Sequence, residues 1–291
     1  MYYNRVMNGS TQLQLFAPTI EAPPPKIGPA AVVGRPNSKV LQPGRGMIAA
    51  FDYTLNPYIG CSFGCSYCFA ASFVADEEKK AAWGQWVEVK QNALHELAHV
   101  DLKGKTIFMS SSTDPYQPLE LQTGLTRSIV EFLTVPFRQP RLTVQTRSPI
   151  VARDIDLLKR FKKVRINMSI TTDSEETRKL YEPKCASIDR RFEALEEAVR
   201  SGLPVAVCVS PLLPIENPKA FAKRIMDLKP IAVPIGRFHI SDRPFSSTTR
   251  TEALQISHDI GWNVNEQERT RDELRRWLRS YGYEGNGWGP Y

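Results

Sequence analysis

The stretch Cys61-Ser-Phe-Gly-Cys65-Ser-Tyr-Cys68 places three of the chain's five cysteines within eight residues. The spacing C-x-x-x-C-x-x-C brings three thiols onto one short loop. A closed structural zinc site takes four ligands, usually as two C-x-x-C or Cys/His pairs, and no second pair exists here. A cubane iron–sulfur cluster normally takes four cysteines. The other two cysteines, Cys185 and Cys208, stand far off in the sequence and apart from one another. A cluster held by three cysteines keeps one iron open, and an open metal site can bind a small molecule rather than only carry electrons.

The rest of the 291-residue chain is 42% hydrophobic and 24% charged, which suits a globular protein with a full core. That length accommodates one barrel-sized domain with extensions, or two small domains. No run of about 18 apolar residues is present, so no membrane span is expected. The first ten residues, MYYNRVMNGS, lack the charged, apolar and small-residue order of a signal peptide. The thiols are therefore expected in a reducing cytoplasm, where a cysteine cluster reads as metal-binding rather than disulfide-forming. A formal charge of +7 favours anionic partners: nucleic acid, an acidic peptide or an acidic electron donor.

Taken in order, the chain divides into three expected parts. Residues 1–48 form a proline- and glycine-rich arm, because the run Ala17–Lys26 contains too much proline for a regular helix. It is either a loose tail or an extended segment wrapped on the core, for which Ala31-Val-Val33 and Val40-Leu41 offer apolar surface. Residues 49–242 carry the α/β core. A first strand within Asp52–Gly60 delivers the cysteine loop, and Gln85–Val100 has helical periodicity. His95 and His99 share a face of that helix at i, i+4, without the acidic partner of a metal-binding H-E-x-x-H pattern. Strands then alternate with helices: strands at Thr106–Ser110, Arg141–Thr146, Val164–Ile170 and Pro204–Ser210, and a weak sixth at Ile231–Ile235, demoted by Pro234. The intervening helices are expected at Leu119–Thr134, Val151–Phe161, Ser174–Tyr181, Arg190–Ser201 and Pro218–Leu228. Such repetition predicts parallel strands with helices outside. Residues 243–291 form a C-terminal extension, with a charged helix over Glu266–Arg279 and a glycine-rich tail.

In parallel α/β architectures the chemistry gathers where strands end. Ser110-Ser-Ser-Thr-Asp-Pro-Tyr-Gln-Pro118, Thr146-Arg147-Ser148-Pro149, Ser169-Ile-Thr-Thr-Asp173 and Ser210-Pro-Leu-Leu-Pro214 follow four successive strands. An arginine, two aspartates and many hydroxyls would thus meet at one mouth, a set suited to a zwitterionic, ribose-bearing cofactor. The same residue types also populate ordinary loops and helix starts.

With Tyr67 as its aromatic residue, C-x-x-x-C-x-aromatic-C resembles the cluster motif of the radical S-adenosylmethionine (radical SAM) superfamily. Over about residues 50–215 the chain looks most like the spore photoproduct lyase-like branch. The matching strings are Asn56-Pro-Tyr-Ile-Gly-Cys61, Tyr67-Cys68-Phe69-Ala70, Thr113-Asp114-Pro-Tyr-Gln-Pro118 and Glu182-Pro183 with Arg190-Arg191. The resemblance implies a partial (β/α)6 TIM-like barrel and a [4Fe–4S] cluster on Cys61, Cys65 and Cys68. It also implies SAM on the open iron, cleaved reductively to a 5′-deoxyadenosyl radical. Arg147 matches a basic residue that holds the SAM carboxylate. Ser112, Thr113 and Ser169 fall near SAM-contacting positions, and Tyr67, Asp114 and Thr171 complete the expected cofactor-binding set.

One departure bears on substrate. Lesion-repairing members of that branch carry a cysteine just after the second strand as hydrogen donor, whereas this chain has Ser110-Ser111-Ser112. A hydroxyl is a poor hydrogen-atom donor to a carbon radical. The departure favours the branch members that act on ribosomally made peptides, including spliceases that excise a tyramine unit from tyrosine and leave an α-keto-β-amino acid. Such an enzyme implies a peptide precursor, a small accessory protein and an external electron donor such as flavodoxin or ferredoxin. DNA lesion repair and a non-enzymatic Fe–S redox or scaffold role are the alternatives.

Overall fold

The computed structural model describes residues 22–240 and 249–285. The expectations for residues 17–21 of the proline run and for the tail beyond 285 lie outside the described residues.

The strands are β1 (Lys26–Ile27), β2 (Ala30–Arg35), β3 (Leu41–Pro43), β4 (Tyr53–Leu55), β5 (Tyr58–Ile59), β6 (Trp86–Lys90), β7 (Thr106–Met109), β8 (Arg141–Thr146), β9 (Val164–Ser169) and β10 (Val205–Cys208). They form two sheets. The larger runs β10-β9-β8-β7-β4-β3, and all its pairings are parallel except the antiparallel edge pair β3–β4. Successive barrel strands are spatial neighbours, as strand–helix–strand connections require. The sheet does not close on itself: β3 occupies one edge, and Ile231–Ile235 continues the other only through bridges from Ala206 to Ala232 and from Val209 to Ile235. Pro234 has no N–H to donate, and its carbonyl accepts from Val209 N at 2.9 Å. This is the expected α/β core in its partial-barrel form.

Alternation along the strands gives the large sheet two different faces. Leu142, Val144, Ile166, Met168, Val205 and Val207 enter one apolar core. Helices pack that side, with Ile129 and Leu133 from Leu125–Leu133, Leu195 from Ile188–Arg200 and Phe221 from Pro218–Asp227 in the same core. The other face is polar. In register across β8, β9 and β10 it presents Thr143 beside Arg165, Gln145 beside Asn167, and Ser169 beside Cys208. Gln145 Nε2 donates to Ser169 Oγ at 2.9 Å, and Cys208 Sγ lies 3.5 Å from Gln145 Oε1.

Helix starts follow the cap chemistry of the sequence. Ser174, Ser187 and Asn217 accept from Thr177 N, Arg190 N and Ala220 N at the heads of Glu175–Tyr181, Ile188–Arg200 and Pro218–Asp227. Two expected helices differ. Leu119–Thr134 is split into Glu120–Thr123 and Leu125–Leu133 by Gly124, which takes a left-handed φ of 60°. Val151–Phe161 is α-helical only over Ile155–Leu158, after a 3-10 turn, Pro149–Asp154, capped by Ser148.

The smaller sheet, β1-β2-β6-β5, corrects two further expectations. Gln85–Val100 is not one helix: β6 occupies Trp86–Lys90, and only Ala93–Ala98 is helical. Trp86, Val89 and Ala93 satisfy a helical period by their spacing, but the valines at 87 and 89 prefer extended backbone. Partner strands β2 and β5 on either side supply the ladder. His95 and His99 are exposed, their rings 4.5 Å apart. Likewise Asp52–Gly60 is two strands, not one. Pro57 interrupts it, so β4 joins the large sheet and β5 the small one.

The helix Val264–Ser280 lies against Pro218–Asp227 and buries Leu274 and Leu278. Gln267 both donates to and accepts from the backbone of Phe238, at 2.9 and 2.7 Å, and Tyr283 Oη accepts from Val233 N at 2.7 Å. The C-terminal extension thereby covers the weak edge of the large sheet.

The cysteine loop emerges from β5 and is pressed against the turn that precedes β6. Gly64 (φ 56°) and Gly84 (φ 93°) meet back to back there. A Cβ built on Gly84 would stand 2.6 Å from the Gly64 Cα. Gly84→Ala should cost about 1–3 kcal/mol in a denaturant melt and displace the loop. Gly104→Ala (φ 71°, open space around it) carries only the backbone penalty and serves as control.

Candidate active site

The loop 61–68 is wound by short-range hydrogen bonds. Gly64 N donates to Cys61 O at 3.1 Å and Cys68 N to Cys65 O at 3.1 Å. Gln117, fully buried, holds the start of the loop by accepting from Ser62 N at 2.8 Å. Cys61 and Cys65 are buried and Cys68 is partly exposed. The Asp114 backbone N–H faces the Cys61 sulfur, and those of Ala70 and Ala71 face Cys68. Burial pushes the Cys61 thiol up and Cys68 up to about 11. Cys65 is drawn below the ordinary thiol value, first by its contact with Cys185 and then, against burial, by the Arg147 and Arg191 cations.

Cys185 is therefore not remote, as its place in the sequence suggests. Its Sγ is 3.8 Å from that of Cys65. Cys208 stays apart, buried on the polar face of the large sheet with its thiol pushed up to about 12 by burial.

The centre of the site is a carboxylate to which the sequence reading assigns no role. Glu182, fully buried at the end of the helix Glu175–Tyr181, accepts from Arg147 Nη1 at 2.9 Å, Thr171 Oγ1 at 2.9 Å, Arg191 Nη2 at 2.5 Å and the Tyr67 hydroxyl. The only sequence signal for it is the Glu182-Pro183 string with Arg191 nine residues on. Burial alone would raise this carboxyl, but Arg191, Arg147 and the Tyr67 hydroxyl outweigh it and hold the pKa at about 2.

Three expected site residues, Tyr67, Arg147 and Thr171, thus converge on Glu182. Arg147 spends one nitrogen, Nη1, on Glu182 and Tyr67. Its Nε and Nη2 find no acceptor among the described residues, and its side chain is 18% exposed. Asp114 is buried and accepts from Thr146 Oγ1, Arg147 N and Tyr116 N at 2.6–2.9 Å, so its carboxylate pins the ends of β7 and β8 together. Thr113 reaches the Tyr58 carbonyl at 3.4 Å. The Ser112 N–H is held by Asn56 Oδ1 at 3.1 Å, while the residue itself is partly exposed. The Ser169 hydroxyl is bonded to Gln145 and not to Glu182, while its carbonyl accepts from Arg191 Nη1.

Among the described residues no three His, Cys, Asp or Glu side chains converge on a point for a single metal ion. A cubane needs a different arrangement, with each cysteine on its own iron. Three soft sulfurs on one loop, amide N–H groups facing two of them and a guanidinium beside the third suit an anionic iron–sulfur cluster.

The Radical SAM superfamily model matches residues 55–228, more than half of the chain, and the chain belongs to that superfamily. Membership implies SAM and an iron–sulfur cluster. An uncharacterised protein of Methanocaldococcus jannaschii is 34% identical over 167 residues, 57% of this chain and 62% of that protein. An uncharacterised protein of Acidianus two-tailed virus is 30% identical over 217 residues, 70% of this chain and 69% of that protein. The chain spans half of the mycobacterial relatives that it matches at 28% identity. Among solved structures, a spore photoproduct lyase variant with bound AdoMet and dinucleoside spore photoproduct aligns over 86% of this chain and 79% of that one, with a TM-score of 0.61 and 15% identity. That likeness concerns the fold. No helix among the described residues is long and apolar enough to cross a membrane.

Because Glu182 titrates below its ordinary value of 4.5, its stabilising effect is complete above about pH 5 and fades as the pH falls toward 2. Glu182→Gln, melted in denaturant without cluster, should be roughly 3 kcal/mol less stable than wild type at pH 7. That difference should narrow between pH 5 and pH 3.

Proposed function

We propose that the chain is a radical SAM enzyme whose [4Fe–4S] cluster is carried by Cys61, Cys65 and Cys68 and whose substrate is a ribosomally made peptide. The observation that carries the first part is the three-sulfur loop, two of its cysteines buried, with backbone N–H groups facing Cys61 and Cys68 and the Arg147 cation acting on Cys65. Held by Cys61, Cys65 and Cys68 and reduced, such a cluster would supply the one electron that splits SAM at a carbon–sulfur bond into methionine and a 5′-deoxyadenosyl radical. The protein's own groups bind and orient. Arg147 offers its unengaged Nε and Nη2 to the SAM carboxylate, while Glu182 and Tyr67 hold the other side of the guanidinium in place. Ser112, partly exposed, offers its hydroxyl to the amine and ribose, while Thr113, Ser169 and Thr171, whose hydroxyls are engaged by the Tyr58 carbonyl, Gln145 and Glu182, shape the wall behind it. Asp114 keeps the strand ends that present them in register. The apolar packing of Tyr67, Tyr181 and Phe238 beside the loop keeps water away from the cluster side.

The peptide assignment rests on Ser110–Ser112 at the end of β7. Ser110 Oγ donates to Thr113 O, and Ser111 Oγ accepts from Thr54 and Asn56. These are hydroxyls in local structural use, without a thiol to quench a product radical. A splicease-type excision of a tyrosine-derived unit fits this reading, with a small accessory protein to present the precursor and an acidic flavodoxin or ferredoxin as electron donor to the basic chain. DNA lesion repair is the competing outcome.

The test is anaerobic reconstitution with iron and sulfide, then SAM and dithionite, with mass spectrometry for 5′-deoxyadenosine. Wild type should form it, and Cys61→Ala, Cys65→Ala and Cys68→Ala should not. Arg147→Ala should load its cluster and bind SAM about ten- to a hundredfold more weakly. A cysteine variant with undiminished product would sink the mechanism. Deuterium appearing in 5′-deoxyadenosine from a labelled precursor peptide supports the peptide substrate. Transfer from a labelled thymine photoproduct instead assigns DNA repair.

A further inference from the structure

Cys185 is the thiol that the cysteine motif leaves over, yet it is the one held against a motif sulfur. Cys65 and Cys185 are both buried, with their sulfurs 3.8 Å apart, inside hydrogen-bond range for sulfur. Backbone contacts fix this approach. Cys185 N donates to Glu182 O at 3.0 Å, and the buried Arg178 guanidinium donates from Nη1 to the carbonyls of both Glu182 and Cys185, each at 3.0 Å. The turn 182–185 is thus a rigid clip. It is tied to the cysteine loop through Ser66 and to the turn that backs the loop through Lys184. Ser66 donates from N and Oγ to Tyr181 O at 2.9 and 3.2 Å, and Lys184 Nζ donates to Gly84 O at 2.9 Å, on the glycine that abuts Gly64. These ties hold the two backbones together, so that the sulfurs can part only by rotation of one of the two buried cysteine side chains.

The direction of the contact follows from valence. An iron-bound thiolate carries no proton, so it can only accept, and the S–H must belong to Cys185. A hydrogen bond to a ligand sulfur favours the more negative, reduced form of a cluster and so raises its potential. We propose that Cys185 is a positioning residue whose thiol donates a hydrogen bond to the Cys65 sulfur and raises the reduction potential of the cluster. The proposal rests on the assignment of Cys65 as a cluster ligand made above.

Potentiometric titration monitored by electron paramagnetic resonance, with iron and sulfide counted on each sample, tests it. The variants are Cys185→Val, which fills the space without a donor, and Cys185→Ser, which keeps one. Cys185→Val should load as much iron as wild type and titrate at a more negative potential. Cys185→Ser should load equally and lie nearer to wild type. Should the valine impair folding, Cys185→Ala takes its place. An unchanged potential in a loaded, donor-free variant overturns the proposal. So does loss of the cluster in both Cys185→Val and Cys185→Ala, which would make Cys185 a ligand itself. Cys65→Ala separates the two assignments, because a full cluster in that variant refutes the ligand set and not the hydrogen bond alone.

Discussion

The buried carboxylate of Glu182 is the constraint on which the site depends. A charge taken out of water is costly unless it is paired and its lone pairs are filled. Glu182 is satisfied by four donors that come from four parts of the chain: Tyr67 in the cysteine loop, Arg147 beyond β8, Thr171 beyond β9 and Arg191 in the helix Ile188–Arg200. Two arginines against one carboxylate leave a net positive charge beside sulfurs that must be anionic to ligate iron. The same ion network thus joins the loop to the strand ends and helps draw Cys65 toward the thiolate. Arg191 also donates to the Ser169 carbonyl at 3.1 Å, which extends the network into the large sheet.

The two sheets divide the work of holding the loop. The small sheet sets where the loop starts and what backs it, since β5 leads into Cys61 and the turn at Gly84, which leads into β6, abuts Gly64. The large sheet provides the wall, through Asp114 after β7, Arg147 after β8 and Thr171 after β9. Asp114 serves both, because its carboxylate binds the β8 end while its N–H faces Cys61. Close packing explains why glycine stands at both 64 and 84: any side chain there would separate the two sheets' contributions.

Much of the scaffold was legible because it obeys local rules. The β8 strand runs over Arg141–Thr146 as read from alternation, and Ser174, Ser187 and Asn217 start helices as their hydroxyl and amide chemistry dictates. The two misread strand segments share one cause. Trp86–Lys90 and the break at Pro57 are decided by which strand lies alongside, and a period of three or four in a short apolar run cannot distinguish a helix from a strand that has partners. Gly124 likewise splits a helix whose apolar face reads as continuous.

By itself the sequence determined the chemistry's raw material: three thiols at C-x-x-x-C-x-x-C, parallel strand–helix repetition, and polar residues at successive strand ends. These are local or periodic features, and each follows from a few neighbouring residues. Only the tertiary structure decided which residues meet. It set Glu182 among Tyr67, Arg147, Thr171 and Arg191, brought Cys185 to Cys65 across 120 positions, and left Cys208 on the polar face beside Gln145. Such contacts depend on burial and on the pairing of distant elements, and neither spacing nor residue type encodes them along the chain.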